Sequence, residues 1–311
     1  MSTAPFPVQP ELTAVAIAFV NKRAIADRVL LRASPMTKKE FKYRRYDFGQ
    51  NFTVPDTRVG RTSKPNQVEM KSEDVTASTQ DYGLEDPIPQ DDIDQAPPGQ
   101  NLLMGATEWL TNLIVLDREV RTAGLVFNPT NYGSGLTKDL AAGEKFDNPE
   151  SDPLGVLSDA LDAPVMRPNV AVVGRKAFSK LARHPQLVKA YHGNDGGSGI
   201  VPAKFIAEVL ELEELLIGEA LFNTAKRGKT PVMTRAWGPH MALHYRDQAA
   251  LSGRGALWGW TAQYKTRVAG SKPDGDIGLR GGQMVRVGES VAEVVAAPEL
   301  GFLLQNLLGT P

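Results

Sequence analysis

The chain has 311 residues, and its 35 lysines and arginines against 36 aspartates and glutamates leave a formal net charge of −1. That balance excludes a dedicated, strongly basic nucleic-acid binder, and a hydrophobic fraction of 41% excludes a wholly disordered chain. Cysteine is absent, so disulfides, zinc–thiolate sites and thiol nucleophiles are excluded as well.

The length predicts more than one core, since single cores stop growing near roughly 250–300 residues. Residues 1–11 hold no positive charge and the apolar run at 14–20 is short, so no signal peptide is expected. The longest apolar candidate, 102–127, is interrupted by Glu108, Asp117, Arg118, Glu119 and Arg121, which excludes a membrane span. A soluble protein with no membrane contact is expected.

A short helix is predicted at 12–20. Residues 22–45 are strongly basic and include Lys38, Lys39, Lys42, Arg44 and Arg45. Residues 69–94 reverse the sign, with Glu69, Glu73 and Asp74 among the carboxylates and Lys71 as the one cation. Opposed blocks attract each other, within a chain or between neighbours. Between them lies a hairpin signal. Phe41 and Tyr43 alternate with Lys42 and Arg44, turn residues follow at Pro55-Asp56 and Gly60, and a second strand-like run crosses 67–71. Apart from Val54 and Val59 its tip is polar. A lone two-stranded ribbon is marginal in water, so this one is expected to rest on a neighbouring subunit.

Pro97-Pro98-Gly99 breaks the chain, and a helix of about 35 Å is predicted at 102–124. Leu102, Ala106, Trp109, Leu113, Leu116 and Val120 recur at steps of three and four and form its predicted core face. Thr107, Thr111, Arg118, Glu119 and Thr122 lie mostly opposite. From 131 to about 270 the chain reads as an α/β unit, with strands at 169–173 and 215–218 and helices at 176–183 and 203–212. The tail returns to strand period at 284–287 and 291–297, then ends on an apolar segment at 300–308.

Candidate chemistry is sparse. His240 and His244 have metal-like spacing, but Met241, Leu243 and Tyr245 alternate as in a strand, where the two rings would stand about 13 Å apart. His184 is read as closing a helix. The glycine loop at 193–199 could approach a phosphate, yet it lacks the Lys-Ser/Thr of a P-loop and the spacing of a dinucleotide fingerprint. No nucleophile elbow occurs, and the adjacent carboxylates Glu213-Glu214 and Asp91-Asp92 read as solvated. No catalytic, cofactor or metal residue is assigned. Aromatics interleave the basic block at Phe41, Tyr43, Tyr46 and Phe48, a pattern that could stack bases. The acidic block nearly cancels that field, so an edge hairpin facing solvent or an acidic neighbour is the preferred reading.

The order of these motifs resembles tailed-bacteriophage major capsid proteins of the Hong Kong 97-type fold. It is carried by the basic strand Glu40-Phe-Lys-Tyr-Arg-Arg-Tyr46, the hairpin Val54-Pro-Asp-Thr-Arg-Val-Gly-Arg61, the long helix and Val126-Phe-Asn-Pro-Thr-Asn-Tyr132. Further on come Pro168-Asn-Val-Ala-Val-Val-Gly174, Ala177-Phe178, Leu181, His184-Pro185 and Ile217-Gly-Glu-Ala220. The resemblance implies an α+β fold with a peripheral domain, an axial domain, an extended N-terminal arm and a β-hairpin E-loop. Residues 1–38 would be the arm, reaching a neighbour, and the start of the peripheral domain. Residues 39–71 would form the E-loop, overlying an adjacent subunit. Residues 72–145 would continue the peripheral domain and include the spine helix, 146–264 would be the axial domain, and 265–311 would return to the peripheral domain.

Arg58, Val59, Gly60, Arg61 and Lys64 would then touch an adjacent subunit. The blocks containing Lys38, Lys39, Lys42, Arg44, Arg45, Glu69, Glu73 and Asp74 would pair between subunits, and Leu102, Trp109, Leu113, Leu116 and Val120 would be the core of the spine helix. The implied function is a non-enzymatic virion protein without cofactors. It would self-assemble into hexamers and pentamers of an icosahedral shell around double-stranded DNA, contacted non-specifically, in the host cytoplasm. A separate scaffolding protein is expected because the stretch before the basic strand is short and lacks a coiled-coil pattern; a portal and a possible cement protein complete the partners. No isopeptide cross-link from Lys64 is expected, since no matching acceptor stands out. Alternative readings are an encapsulin-like compartment shell and a phosphate-ligand enzyme using the glycine loop.

Overall fold

A computed structural model describes residues 6–46, 48–69, 71–193, 198–247, 249 and 256–309. The first third supplies helices α1 (Pro10–Ala18) and α2 (Ala26–Val29), strand β1 (Glu40–Tyr46), helix α3 (Phe48–Phe52), and strands β2 (Ser72–Ser78) and β3 (Gln80–Pro89). Helices α4 (Gln90–Asp94) and α5 (Leu102–Val126) follow. The middle runs through β4 (Thr137–Asp139), α6 (Pro153–Asp162), β5 (Val170–Gly174), α7 (Arg175–Leu181), α8 (Pro185–His192), α9 (Ala203–Val209) and β6 (Glu214–Gly218). The rest is strand: β7 (Leu221–Asn223), β8 (Met233–Arg235), β9 (Met241–His244), β10 (Gly259–Asp274), β11 (Gly282–Val295) and β12 (Gly301–Gln305).

Two sheets organise the chain. A mixed five-stranded sheet has the order β4-β12-β9-β5-β6, and an antiparallel three-stranded sheet the order β10-β11-β3. In β5 every residue is buried, as expected of an apolar run covered on both faces. Its alternation sends Ala171 and Val173 to one core with Leu157, Leu181, Leu187 and Ile206, and Val170 and Val172 to another with Val126, Trp237 and Trp258. A third core lies between the three-stranded sheet, α1 and the first half of α5, where Leu110 and Ile114 meet Val285, Val287, Leu12 and Ala16. No helix among the described residues is long and apolar enough to cross a membrane.

Several expectations are corrected. The predicted apolar face of α5 is only partly its buried face: Ala106 is buried and Leu102 and Leu116 pack against the cores from its margin, but the most buried stripe is rotated from it. Trp109 is 54% exposed, and Leu102, Leu113, Leu116 and Val120 are only half-buried. Thr107, Thr111, Arg118, Glu119 and Thr122 are buried instead. Hydrogen bonding accounts for most of this, while Thr122 Oγ1 and the Arg118 Nε and Nη1 atoms are buried with no hydrogen-bond partner among the described residues. Thr107 Oγ1 donates to the Leu103 carbonyl and Thr111 Oγ1 to the Thr107 carbonyl, at 2.8 and 2.6 Å, so their methyl groups can face the core. Arg118 donates to Thr261 Oγ1 and meets Asp27, both at 2.9 Å. Burial in a polar stripe is tolerated when the polar atoms find partners.

The expected N-terminal arm is docked on its own chain in its described part. Leu12 and Ala16 of α1 are buried, Thr13 Oγ1 donates to the Ala269 carbonyl at 3.0 Å, and Gln9 Nε2 donates to Ser271 Oγ at 3.0 Å. The divisions at 145/146 and 264/265 also shift. β10 begins at Gly259 within the three-stranded sheet, whereas β4 and the tail strand β12 complete the five-stranded one. Topology decides this, because β12 pairs with β4 in parallel and β9 in antiparallel fashion, and local sequence does not encode such partners. His184 opens α8 and does not close α7 alone: its Nδ1 accepts from the Gln186 N–H at 3.3 Å, and Pro185 occupies the first helical turn, where no N–H is needed. The glycine loop lies outside the described residues at 194–197.

Candidate assembly surfaces

β1 pairs with β2, and the ribbon therefore closes later than the sequence suggests. Glu40 stands opposite Ser78 and Tyr46 opposite Ser72, so the returning strand starts just after the predicted run at 67–71. Residues 53–69 hold no strand; the stretch from 61 to 63 is a turn, with the Ser63 N–H donating to the Gly60 carbonyl at 3.0 Å. Asp56 stiffens the tip by accepting from the Arg58 N–H at 3.0 Å, while its carbonyl accepts from Asn66 Nδ2 at 2.8 Å.

The ribbon root is seated on its own body. The Phe41 and Tyr43 rings lie 5.6 and 6.3 Å from Trp260, the latter edge-on. Lys39 pairs with Asp81, which also accepts from Ser290, and Arg45 Nε donates to the Ala296 carbonyl at 3.4 Å. The platform residue Trp260 was missed in the sequence because its role depends on a strand more than 200 residues away from β1. The ribbon thus runs from Ser290 towards Ala296, along β11 and past the end where Gly259 opposes Val295.

The charge blocks partly satisfy each other in cis, one of the two arrangements their opposed signs allow, alongside the expected pairing between subunits. Arg44 faces Asp74 across the ribbon with 3.8 Å between charged atoms, and Arg45 stands opposite Glu73. Lys42 stands opposite Thr76. Glu85 pairs with Arg286, and Asp91 with Arg280 at 2.6 Å. The register explains this: blocks of opposite sign fall on antiparallel strands of one ribbon or on adjoining edges. Lys38, Arg58, Arg61, Lys64 and Glu69 remain exposed and have no ion-pair partner among the described residues, and every residue from 52 to 69 is exposed.

The opposite end of the three-stranded sheet carries an open groove. It is lined by Asp86, Pro87, Pro89, Asp92, Leu102, Ala106 and the exposed Trp109. Asp86 and Asp92 have no ion-pair partner among the described residues. Ile88, in its floor, opposes Gln283 at that end of β11, while Trp260 opposes Val294 at the other. Eleven residues separate the two positions, or about 36 Å at roughly 3.3 Å per residue. The ribbon leaves one end of the sheet and the groove opens at the other.

Between these surfaces lies a charge network, buried at Arg118 and Glu289 and reaching the surface at Asp27, that ties α2 to α5 and the sheet. Glu289 meets Arg32 at 3.1 Å and Arg267 at 3.0 Å, and Arg121 meets Glu293 at 2.7 Å. Burial acts to raise the Glu289 carboxyl, but Arg32 and Arg267 outweigh it and hold it below the usual glutamate value. Asp27 is likewise lowered, burial being outweighed by Arg118 and Arg32. His244 is fully buried, stacked 3.9 Å from Trp258 and 2.9 Å from the Tyr132 hydroxyl. Burial pushes its pKa down to about 3, so it is a neutral core residue. Clusters of this kind bind the chain together, whereas the ribbon tip and the groove stay exposed. The chain thus exposes a cationic ribbon tip at one end of the three-stranded sheet and an acidic, Trp109-lined groove at the other.

No family model matches the chain. It is 54% identical over 306 residues to the major capsid protein of Pseudomonas phage JBD67, covering 98% of this chain and 99% of the relative. Among solved structures, a phage-related protein from Bordetella bronchiseptica RB50 superposes with a TM-score of 0.74 at 20% identity, covering 99% of both chains. The capsid of Cyanophage P-SCSP1u gives 0.59 at 9% identity, covering 98% of this chain and 92% of that one. The shared architecture is the Hong Kong 97-type capsid fold. The chain belongs to the phage major capsid proteins.

Proposed function

We propose that the chain self-assembles as hexamers and pentamers into a closed icosahedral shell around double-stranded DNA, without catalysis or cofactor. Assembly takes place in the host cytoplasm with a separate scaffolding protein and a portal, and a cement protein can bind the finished head. One observation carries the reading: the ribbon tip is exposed throughout, cationic at Arg58, Arg61 and Lys64, and directed away from the Asp86–Asp92–Trp109 groove of its own chain. On an adjacent copy the two fit. The guanidinium groups can pair with the aspartates and lie over the Trp109 ring, while Val59 and Gly60 cover the apolar floor.

Such a contact is head-to-tail, and head-to-tail contacts close into rings when the rotation between copies allows. Electron microscopy of the purified product tests the proposal. Closed shells with five- and six-fold capsomers are expected; a uniform small oligomer would contradict it, and shells filled with a protein cargo in place of DNA would favour a cellular compartment.

A further inference from the structure

A second pair of surfaces, away from the ribbon, is unsatisfied in the single chain. From 220 to 246 the sequence contains no carboxylate, yet it holds Lys226, Arg227, Lys229, Arg235 and Arg246. Three of these cations crowd the tip of the β7–β8 hairpin. That hairpin forms a two-stranded sheet of its own, three residues per strand, which is too little to be stable alone in water.

Its connection is nevertheless well defined. Asn223 Oδ1 accepts from the Ala225 and Val232 N–H groups at 3.0 and 2.9 Å, and Gly228 turns the chain at φ +82, where a side chain would be strained. Lys226, Arg227 and Lys229 are exposed and have no ion-pair partner among the described residues. Beneath them Val232 and Met233 are 56% and 58% exposed. The hairpin therefore presents a basic tip above an apolar base, both left exposed by the described residues.

The complementary chemistry lies at the other end of β6. Glu208, Glu211 and Glu213 are exposed just before that strand, beside the exposed Val209 and Ile200. Lys204 and Arg167 approach Glu208 and Glu211 only to 3.7 and 3.5 Å, on open surface where such pairs contribute little. Glu213 has no ion-pair partner among the described residues. β6 is an edge strand that pairs with β5 alone, and its five residues hold the acidic corner and the root of the basic hairpin about 17 Å apart. Charge and apolar surface match in kind, sit at opposite ends of one edge strand, and do not meet among the described residues.

We propose that the β7–β8 hairpin of one copy docks on the acidic α9–β6 corner of the next copy, Lys226, Arg227 and Lys229 meeting Glu208, Glu211 and Glu213 while Val232 and Met233 cover Val209. The inference rests on the assembly reading above but concerns a different contact. It is again head-to-tail, so copies joined through it close into a ring around one axis where the rotation between them allows. Because the two charge sets are on the same chain, reversing both recreates every pair with its polarity exchanged.

The test is a charge swap. Lys226→Glu, Arg227→Glu and Lys229→Glu together, and separately Glu208→Lys, Glu211→Lys and Glu213→Lys, should each lower particle yield about tenfold while the unassembled chains melt normally. The chain carrying all six changes should recover most of that yield. A six-fold variant no better than either triple variant, or a lysine-and-arginine triple variant that assembles normally, overturns the proposal. Normal particles that retain less DNA overturn it too, and assign the hairpin to the nucleic-acid backbone. If a reversed variant does not fold, Arg227→Cys with Glu213→Cys in this otherwise cysteine-free chain replaces it. A short bis-maleimide should then link assembled copies into covalent multimers, and monomer alone overturns the contact. Wild-type chains that never form shells would instead overturn the assembly reading itself.

Discussion

The Trp237 indole donates to Glu119 Oε2 at 2.6 Å, while Oε1 of the same carboxylate accepts from the Ala26 N–H at 2.5 Å. One buried side chain of α5 thus fastens α2 and the segment before β9. Burial raises its pKa, and the Ala26 and Trp237 donors only partly offset that. Glu119→Ala would strand two buried donors and is expected to cost about 2–4 kcal/mol. Urea unfolding of the unassembled chain measures it; a loss under about 0.5 kcal/mol, the scale of an ordinary surface change, would show that the clasp is dispensable.

Stability should fall in mild acid because of His244. Its folded pKa is about 3 against 6.5 for the free side chain, so between these values the unfolded chain binds a proton that the folded chain does not. Stability is therefore highest above pH 6.5 and declines as pH falls, by about 1.4 kcal/mol per unit for this one group. His240, also lowered by burial, adds to the slope. His244→Phe keeps the stacking and should flatten the decline by about one proton's worth. An unchanged slope from pH 6.5 to 5 would contradict the assignment.

Two glycines should respond in opposite directions. A Cβ on Gly174, at the end of β5, would collide with the Gly238 carbonyl, which is backbone and has little room to yield. Gly174→Ala should destabilise by about 1–3 kcal/mol. Gly124 lies in α5 with nothing within 4 Å of the added carbon, so Gly124→Ala should stabilise by about 0.5–1 kcal/mol. Thermal melts of the two variants give the comparison, and equal shifts would refute it.

The ribbon contact has its own charge test. Arg58→Glu with Arg61→Glu, or Trp109→Ala alone, should leave the unassembled chain folded, because all three side chains are exposed. Particle yield should drop about tenfold or more in each. Adding Asp86→Lys and Asp92→Lys to the arginine variant should restore part of it. Full assembly of the arginine variant would rule out the pairing.

Much of this fold is legible in the sequence, and the failures share a cause. The buried run Val170–Gly174, the alternation within β11 and the length of α5 follow from local periodicity, whereas β10, with its irregular burial pattern, does not. The inward face of α5 does not, because Arg118 and Glu119 look like solvent residues until Asp27, Thr261 and Trp237, distant in sequence, are brought to them. The same holds for the ribbon. Its strands and charges can be read locally, but its register against Ser72–Ser78 and its seat on Trp260 depend on contacts between distant segments. Helical spacing alone puts Trp109 on the core face, and its exposure becomes meaningful only beside Asp86 and Asp92, which have no ion-pair partner among the described residues.

Hydrogen exchange across residues 52–69 tests the central claim most directly. In the unassembled chain these amides should exchange nearly as fast as free peptide, since their surroundings are open and hold little regular structure. In purified particles the same amides should slow by about tenfold or more as the tip settles on an adjacent copy. Equal and rapid exchange in both states would mean that the ribbon tip has no seat in the shell.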